Sequence, residues 1–224
     1  MKRSLLFFSL LCSVTAAFSQ TSSYDPSFRS LYKAIALHPG YRNRIGQIHD
    51  SVVKKWDKNI VIFIEGGNSK NRREIVDKLK GTIATISPAL NNKIQISFTD
   101  NKPSANYLIN LDYRGRSGWH LKWDGIYNIY GCTMLINAKA IFNYDEQAGL
   151  ISHYFLQSLG DFVFNQQDKP VFTKDDPTVA SNMSLWRKEI TDVDLRIVKV
   201  HYADGIKAGM TAKDIDQFFD QQGK

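Results

Sequence analysis

The chain has 224 residues, 43% of them hydrophobic, and a formal charge of +7, enough apolar material for one ordinary core and too much for a disordered polymer. The positive excess is mild. Beyond the first few residues no run of Lys or Arg exceeds two, which excludes the basic tract expected of a nucleic-acid patch.

At the amino terminus Lys2 and Arg3 precede an apolar run from Leu5 to Val14, and Ala17-Phe18-Ser19 offers a small-x-small cleavage site before Gln20. This pattern predicts a signal peptide over residues 1–19, cleaved near Ser19/Gln20, and a secreted or periplasmic product. Its loss would lower the formal charge to +5. A lipidated cysteine normally follows Gly, Ala or Ser, whereas Cys12 follows Leu11. No later apolar run reaches the ~20 residues of a membrane span. With Cys12 removed, Cys132 has no intramolecular disulfide partner.

Residues 20–57 are expected to form a helical extension, and residues 58–224 the main domain. Asp25-Pro26 caps a helix carrying Phe28, Leu31, Tyr32 and Ile35 until His38-Pro39-Gly40 ends it. A second helix is predicted over 44–56, with Ile45, Ile48, Val52 and Trp56 on one face. The pair would either pack on the main domain or carry a separate contact surface.

From Lys58 strands and helices alternate. Ile60 to Ile64 predicts a strand covered on both faces, and Gly66-Gly67-Asn68-Ser69 turns it into a helix striped by Val76, Leu79, Ile83 and Ile86. That turn lacks both GxGxxG and GK[ST], so it is no nucleotide cradle. Strands follow at 94–98 and 106–111. Gly118 to Trp123 predicts a near-edge strand with Trp119, Leu121 and Trp123 on one face and His120 and Lys122 on the other. Tyr127 to Asn137 supplies one more, with Cys132 as a small buried residue. A helix over 145–159 ends at Gly160, which suits its C-terminus. Thr191 with Asp194, and Thr211 with Asp214, are capping boxes that open the last two helices.

The chemistry concentrates in Gly149 to Asp161, GLISHYFLQSLGD. Compared with HExxHxxG, His153 and Gly160 keep their places. Tyr154 stands at the general-base position and Gln157 at that of the second ligand. A helix puts His153 and Gln157 on one face. A neutral amide is a poor zinc ligand, and a phenol is protonated near neutrality. Residues available to complete a metal site around His153 are His120, His201, Asp161 and Asp168. His201 and His49 lie at helical spacing beside apolar residues, which favours packing. No GxSxG elbow is present, and the carboxylate pairs Asp145-Glu146 and Asp175-Asp176 sit in helix-start or turn contexts.

Taken in order, the strand, long helix, strands, motif helix and closing helix resemble the matrixin-like metzincin zinc peptidases, with Ser181-Asn182-Met183-Ser184 similar to their Met-turn. A closer resemblance is to an uncharacterised group of secreted bacterial proteins, resting on Gly131-Cys132, Gln157 with Leu159-Gly160, and Ile206 to Thr211. The resemblance implies a mixed α/β zincin-like sheet with a long helix and a motif helix, and zinc as the one cofactor to consider. Val163 occupies the third ligand position, so one ligand of three remains.

The expectation is therefore a non-catalytic exported protein whose former cleft, around His153, Gln157, Met183, Trp119 and Trp123, binds a peptide, a glycan or an envelope protein. Tyr113, Trp119, Trp123, Tyr127 and Tyr130 would border that cleft, although strand packing is the simpler explanation of aromatics there. Two alternatives stand beside it: a zinc-dependent hydrolase with a non-standard site containing His153, and a cell-envelope scaffold component acting through the amino-terminal helices.

Overall fold

The computed structural model describes residues 24–37, 51–137, 144–162 and 190–222. The predicted signal peptide, the 44–50 part of the second helix, Val163, Asp168, the 175–176 carboxylates and the Met183 turn lie outside them.

Helix α1 (Pro26–Ala36) opens on Asp25, whose carboxylate accepts from the backbone N–H of Phe28 at 2.9 Å. Phe28, Tyr32 and Ile35 enter the core. Of the two possibilities for this segment, α1 packs on the main body, against helix α5 (Ala212–Gln222), through Tyr24 and Tyr32 on Phe219, with ring centroids 4.9 and 5.8 Å apart. The surface pairs Arg29–Asp220 and Lys33–Asp216 at 2.6 and 2.7 Å set the register, but the aromatic burial supplies most of the adhesion.

The helix predicted to reach Trp56 does not. Residues 51–54 are irregular, and Lys55–Trp56 is strand β1. Trp56 pairs in register with Ile129, stacks on Tyr107 at 6.2 Å, and donates its indole N–H to the Ser158 carbonyl at 2.9 Å. These sheet and side-chain contacts, distant in sequence, override a helical spacing of apolar residues.

The sheet comprises β1, β2 (Ile60–Glu65), β3 (Ile96–Phe98), β4 (Tyr107–Asn110), β5 (Gly118–Trp123) and β6 (Asn128–Leu135). Its order is β1-β6-β4-β2-β3 with parallel pairing, and β5 joins β6 antiparallel. Ile129 pairs with Trp56 on one side and Trp123 on the other. Strand β5 is therefore an edge, across β6 from β1 and β4.

Burial along β2 alternates: Ile60, Ile62 and Ile64 are inside, while Val61 and Phe63 are half-buried. That corrects the expectation of a strand covered on both faces. Helices α2 (Ser69–Ile86) and α3 (Tyr144–Ser158) lie side by side over the isoleucine face, joined by Thr82 Oγ1 to Ser152 Oγ at 2.9 Å. The α2 stripe is Ile75, Leu79 and Ile86, with Val76 and Ile83 at its margin.

Gly66 and Gly67 adopt φ of 77° and 64°, which reverses the chain into the Asn68 cap of α2. Helix α4 (Asp192–His201) carries the full Thr191/Asp194 capping box, and Thr211 binds Asp214 at the start of α5. No helix among the described residues is long and apolar enough to cross a membrane.

Candidate functional site

Helix α3 is buried nearly all round. Leu150, Ile151, Phe155 and Leu159 face the core, and His153 and Gln157, one turn apart, are 4% and 7% exposed. Tyr154 is half-buried between α3 and β5. Its ring lies 5.0 Å from Trp119 and 5.8 Å from His153, and its hydroxyl donates to the Ser117 carbonyl at 3.4 Å. Helical spacing keeps His153 and Gln157 together, and the fold sets Trp119 beside Tyr154. Trp123, four residues further along β5 on the same face, faces the ammonium of Lys54 at 5.2 Å and lines a different part of the interior.

Burial raises the Tyr154 hydroxyl above the ordinary phenol range, against the opposing pull of Arg116. The Tyr154 hydroxyl is therefore protonated at neutral pH and cannot accept a proton from water. Gln157 presents a buried Oε1 with no hydrogen-bond partner among the described residues. A buried amide oxygen is costly to leave alone and suits an incoming N–H or O–H donor.

Of the candidates for further metal ligands, Asp168 lies outside the described residues, and Asp161 and His201 are engaged elsewhere. His120 is exposed on the β5 face opposite Trp119. Asp161 forms an ion pair with Lys54 at 3.2 Å. His201 lies between the Tyr32 hydroxyl, 3.1 Å from Nδ1, and the Lys54 carbonyl, 2.9 Å from Nε2. Because a carbonyl only accepts, Nε2 carries the proton and Nδ1 accepts from Tyr32. Burial, with the nearby Lys55 charge, pushes the imidazole down to about 3, so it is neutral. Among the described residues no group of three or more His, Cys, Asp or Glu is placed to hold a metal ion.

Gly160 lies in the turn that ends α3, but it is not the left-handed residue there. The left-handed residue is Asp161, at φ 53°, and Phe162 N–H donates to the Gln157 carbonyl at 2.8 Å, the long bond of a Schellman turn. Gly160 is required for room: a Cβ there would lie 2.4 Å from the Phe162 ring and 2.7 Å from His201 Nε2.

Beneath this turn lies a polar cluster that periodicity did not reveal. Tyr107 O–H donates to Ser158 Oγ at 2.8 Å, because the Ser158 hydroxyl proton is given to the Phe155 carbonyl at 2.7 Å. Tyr202 O–H donates to the Leu159 carbonyl at 2.8 Å. Cys132 sits among these groups, and burial pushes its thiol up to about 12. It is a packing residue, as expected. The only signal available beforehand was the presence of hydroxyl residues inside otherwise apolar runs.

No protein-family model, curated protein or solved structure matches this chain.

Along β5 and α3 the structure places a strand edge, the packed Trp119 and Tyr154 rings, and the buried Gln157 amide on the helix. A proton-accepting group at the position next to His153 is missing.

Proposed function

We propose that the chain is an exported, non-catalytic protein with a metallopeptidase-like fold that holds an extended peptide along β5, in the cleft bounded by α3. The observation carrying this reading is the edge position of β5, which pairs with β6 alone among the described strands and runs beside Tyr154 and Trp119. An unpaired strand edge presents alternating N–H and C=O groups that an extended peptide matches by adding as a further strand, with side-chain pockets giving selectivity. A glycan has no such repeating complement. The order of elements that resembles a zinc peptidase supports the same cleft, and the protonated Tyr154 supports binding without hydrolysis.

The test is binding of a library of extended peptides to the 20–224 chain by fluorescence anisotropy, beside elemental analysis of the purified protein. Saturable binding that is lost on alternate backbone N-methylation of the peptide, and reduced at least tenfold by Trp119→Ala, is the expected result. Absence of any binding peptide would sink the peptide reading. Stoichiometric zinc with peptide hydrolysis, both lost in His153→Ala, would overturn the non-catalytic reading and leave the hydrolase.

A further inference from the structure

Among the described residues the two large hydrophobic side chains that remain exposed are Ile126, at 67%, and Tyr130, at 47%. Isolated exposed apolar residues are ordinary. These two lie four residues apart on one hairpin, β5–β6, with Ile126 in its turn.

The turn is braced so that Ile126 cannot fold away. Asp124 Oδ1 accepts from the backbone N–H groups of Ile126 and Asn128 at 3.0 and 2.9 Å, and Oδ2 accepts from the Asn128 side chain at 3.2 Å. Tyr127 sits at φ 67° with its N–H donated to the Asp124 carbonyl. Its own carbonyl accepts from Lys55 N–H at 3.3 Å. From the other side, a Cβ at Gly209 would be 3.6 Å from both the Ile126 carbonyl and the Tyr127 ring. A strained, heavily hydrogen-bonded turn that holds an isoleucine in water is costly unless something covers it.

Charge identifies what does. Lys122 on β5, Lys58 after β1 and Lys207 in the loop that abuts the turn are all exposed. The opposing acids are Asp57 and Asp124, which leave the three lysines one positive charge in excess. Behind the tip is an open cavity of about 350 Å³ lined by Lys122, Lys102, Tyr130, Asn106 and Thr133. Lys102 is tied to Glu65, which leaves Lys122 as the cavity's unpaired cation among the described residues.

We infer that the β5–β6 tip docks on an anionic lipid surface. Ile126 enters the boundary of the acyl chains and Tyr127 and Tyr130 lie at headgroup level, where aromatic side chains with a polar end are favoured. The lysine collar meets lipid phosphates, with Lys122 and its cavity receiving one of them. A single inserted side chain plus a few lysines gives weak, reversible, salt-sensitive attachment, not permanent anchoring. The inference is independent of the peptide reading and adds to it a location: β5 runs from the cleft to the tip, so a bound peptide would be held near the membrane.

Flotation of the 20–224 chain with vesicles of phosphatidylglycerol and phosphatidylethanolamine, against phosphatidylcholine vesicles, tests this. Binding to the anionic vesicles alone, abolished by high salt, is expected. Each charge taken from the collar should weaken it about fivefold, so Lys122→Glu should cost about twentyfold or more. Ile126→Asp should abolish flotation while leaving circular dichroism and peptide binding unchanged, and Ile126→Trp should float with a blue-shifted emission. Equal binding to neutral vesicles, no binding at low salt, or indifference to Ile126→Asp would each overturn the inference. In the last case the contact would be diffuse electrostatics or an acidic protein.

Discussion

Lys54 Nζ and the Asp161 carboxylate lie 3.2 Å apart with side chains 2% and 9% exposed, fastening the segment before β1 to the turn that ends the motif helix. The Lys54 ammonium also faces the Trp123 ring at 5.2 Å, and its carbonyl accepts from His201. A buried pair of this kind owes much of its effect to what happens when one member is lost.

Lys54→Met takes the ammonium away from a buried carboxylate, and should cost about 3–5 kcal/mol of unfolding free energy. Lys54→Met with Asp161→Asn should recover most of that loss. Asparagine tolerates the left-handed backbone at position 161, and the amide carries no charge to desolvate. Urea denaturation of the two variants checks this. A double variant no more stable than the single one would show that the pair is not the unit of stabilisation.

Acid should expose His201. Its ordinary value is about 6.5 and burial holds it at about 3, so between those values the unfolded chain takes up a proton that the native state refuses. Stability contributed by the neutral, buried imidazole is complete above pH ~6.5 and declines as pH falls toward ~3, by an upper figure of about 4–5 kcal/mol. His201→Gln keeps a donor for the Lys54 carbonyl without a titrating group. It should be less stable than the natural protein at pH 7 yet show a shallower loss between pH 6.5 and 4, measured by urea midpoints. Parallel curves would place the acid sensitivity elsewhere.

What the sequence made legible were features written in neighbouring residues. Asp25, Asn68 and Thr191 announce helix starts because a cap bond spans three residues. Trp119, Leu121 and Trp123 announce the inner face of β5 because strand side chains alternate. Trp56 departs from the helix its spacing predicts because its partners, Ile129 and Ser158, lie about 70 and 100 residues away. For the same reason periodicity does not reveal Tyr107, Ser158 and Tyr202 as a polar cluster. In the candidate site, the closeness of His153 and Gln157 followed from helical geometry, and that of Tyr154 and Trp119 needed the fold.

Cys132 should be inert while the protein is folded. With its thiol pushed up to about 12, the thiolate fraction at pH 8 falls on the order of 10³-fold below that of an ordinary cysteine, before any effect of access. Alkylation of Cys132 by iodoacetamide, followed by peptide mapping, should appear only when denaturant crosses the unfolding transition. Rapid labelling of the native protein would mean that the Tyr107–Ser158 region opens locally.

Gly160 separates two explanations for a glycine in the motif helix. Were it needed for a left-handed turn, d-alanine would replace it well and L-alanine would be strained through its backbone. Because Asp161 provides the left-handed residue and position 160 lacks space, the cost of Gly160→Ala comes from collision with Phe162 and His201, which are part of the core. Overpacking of this sort costs about 1–3 kcal/mol. Shortening the obstructing ring should relieve it, so Gly160→Ala with Phe162→Leu should lose less than the two single changes added together. The double-mutant cycle, taken from chemical denaturation, reads the coupling directly. Strict additivity would return the glycine to a backbone role and leave its contacts incidental.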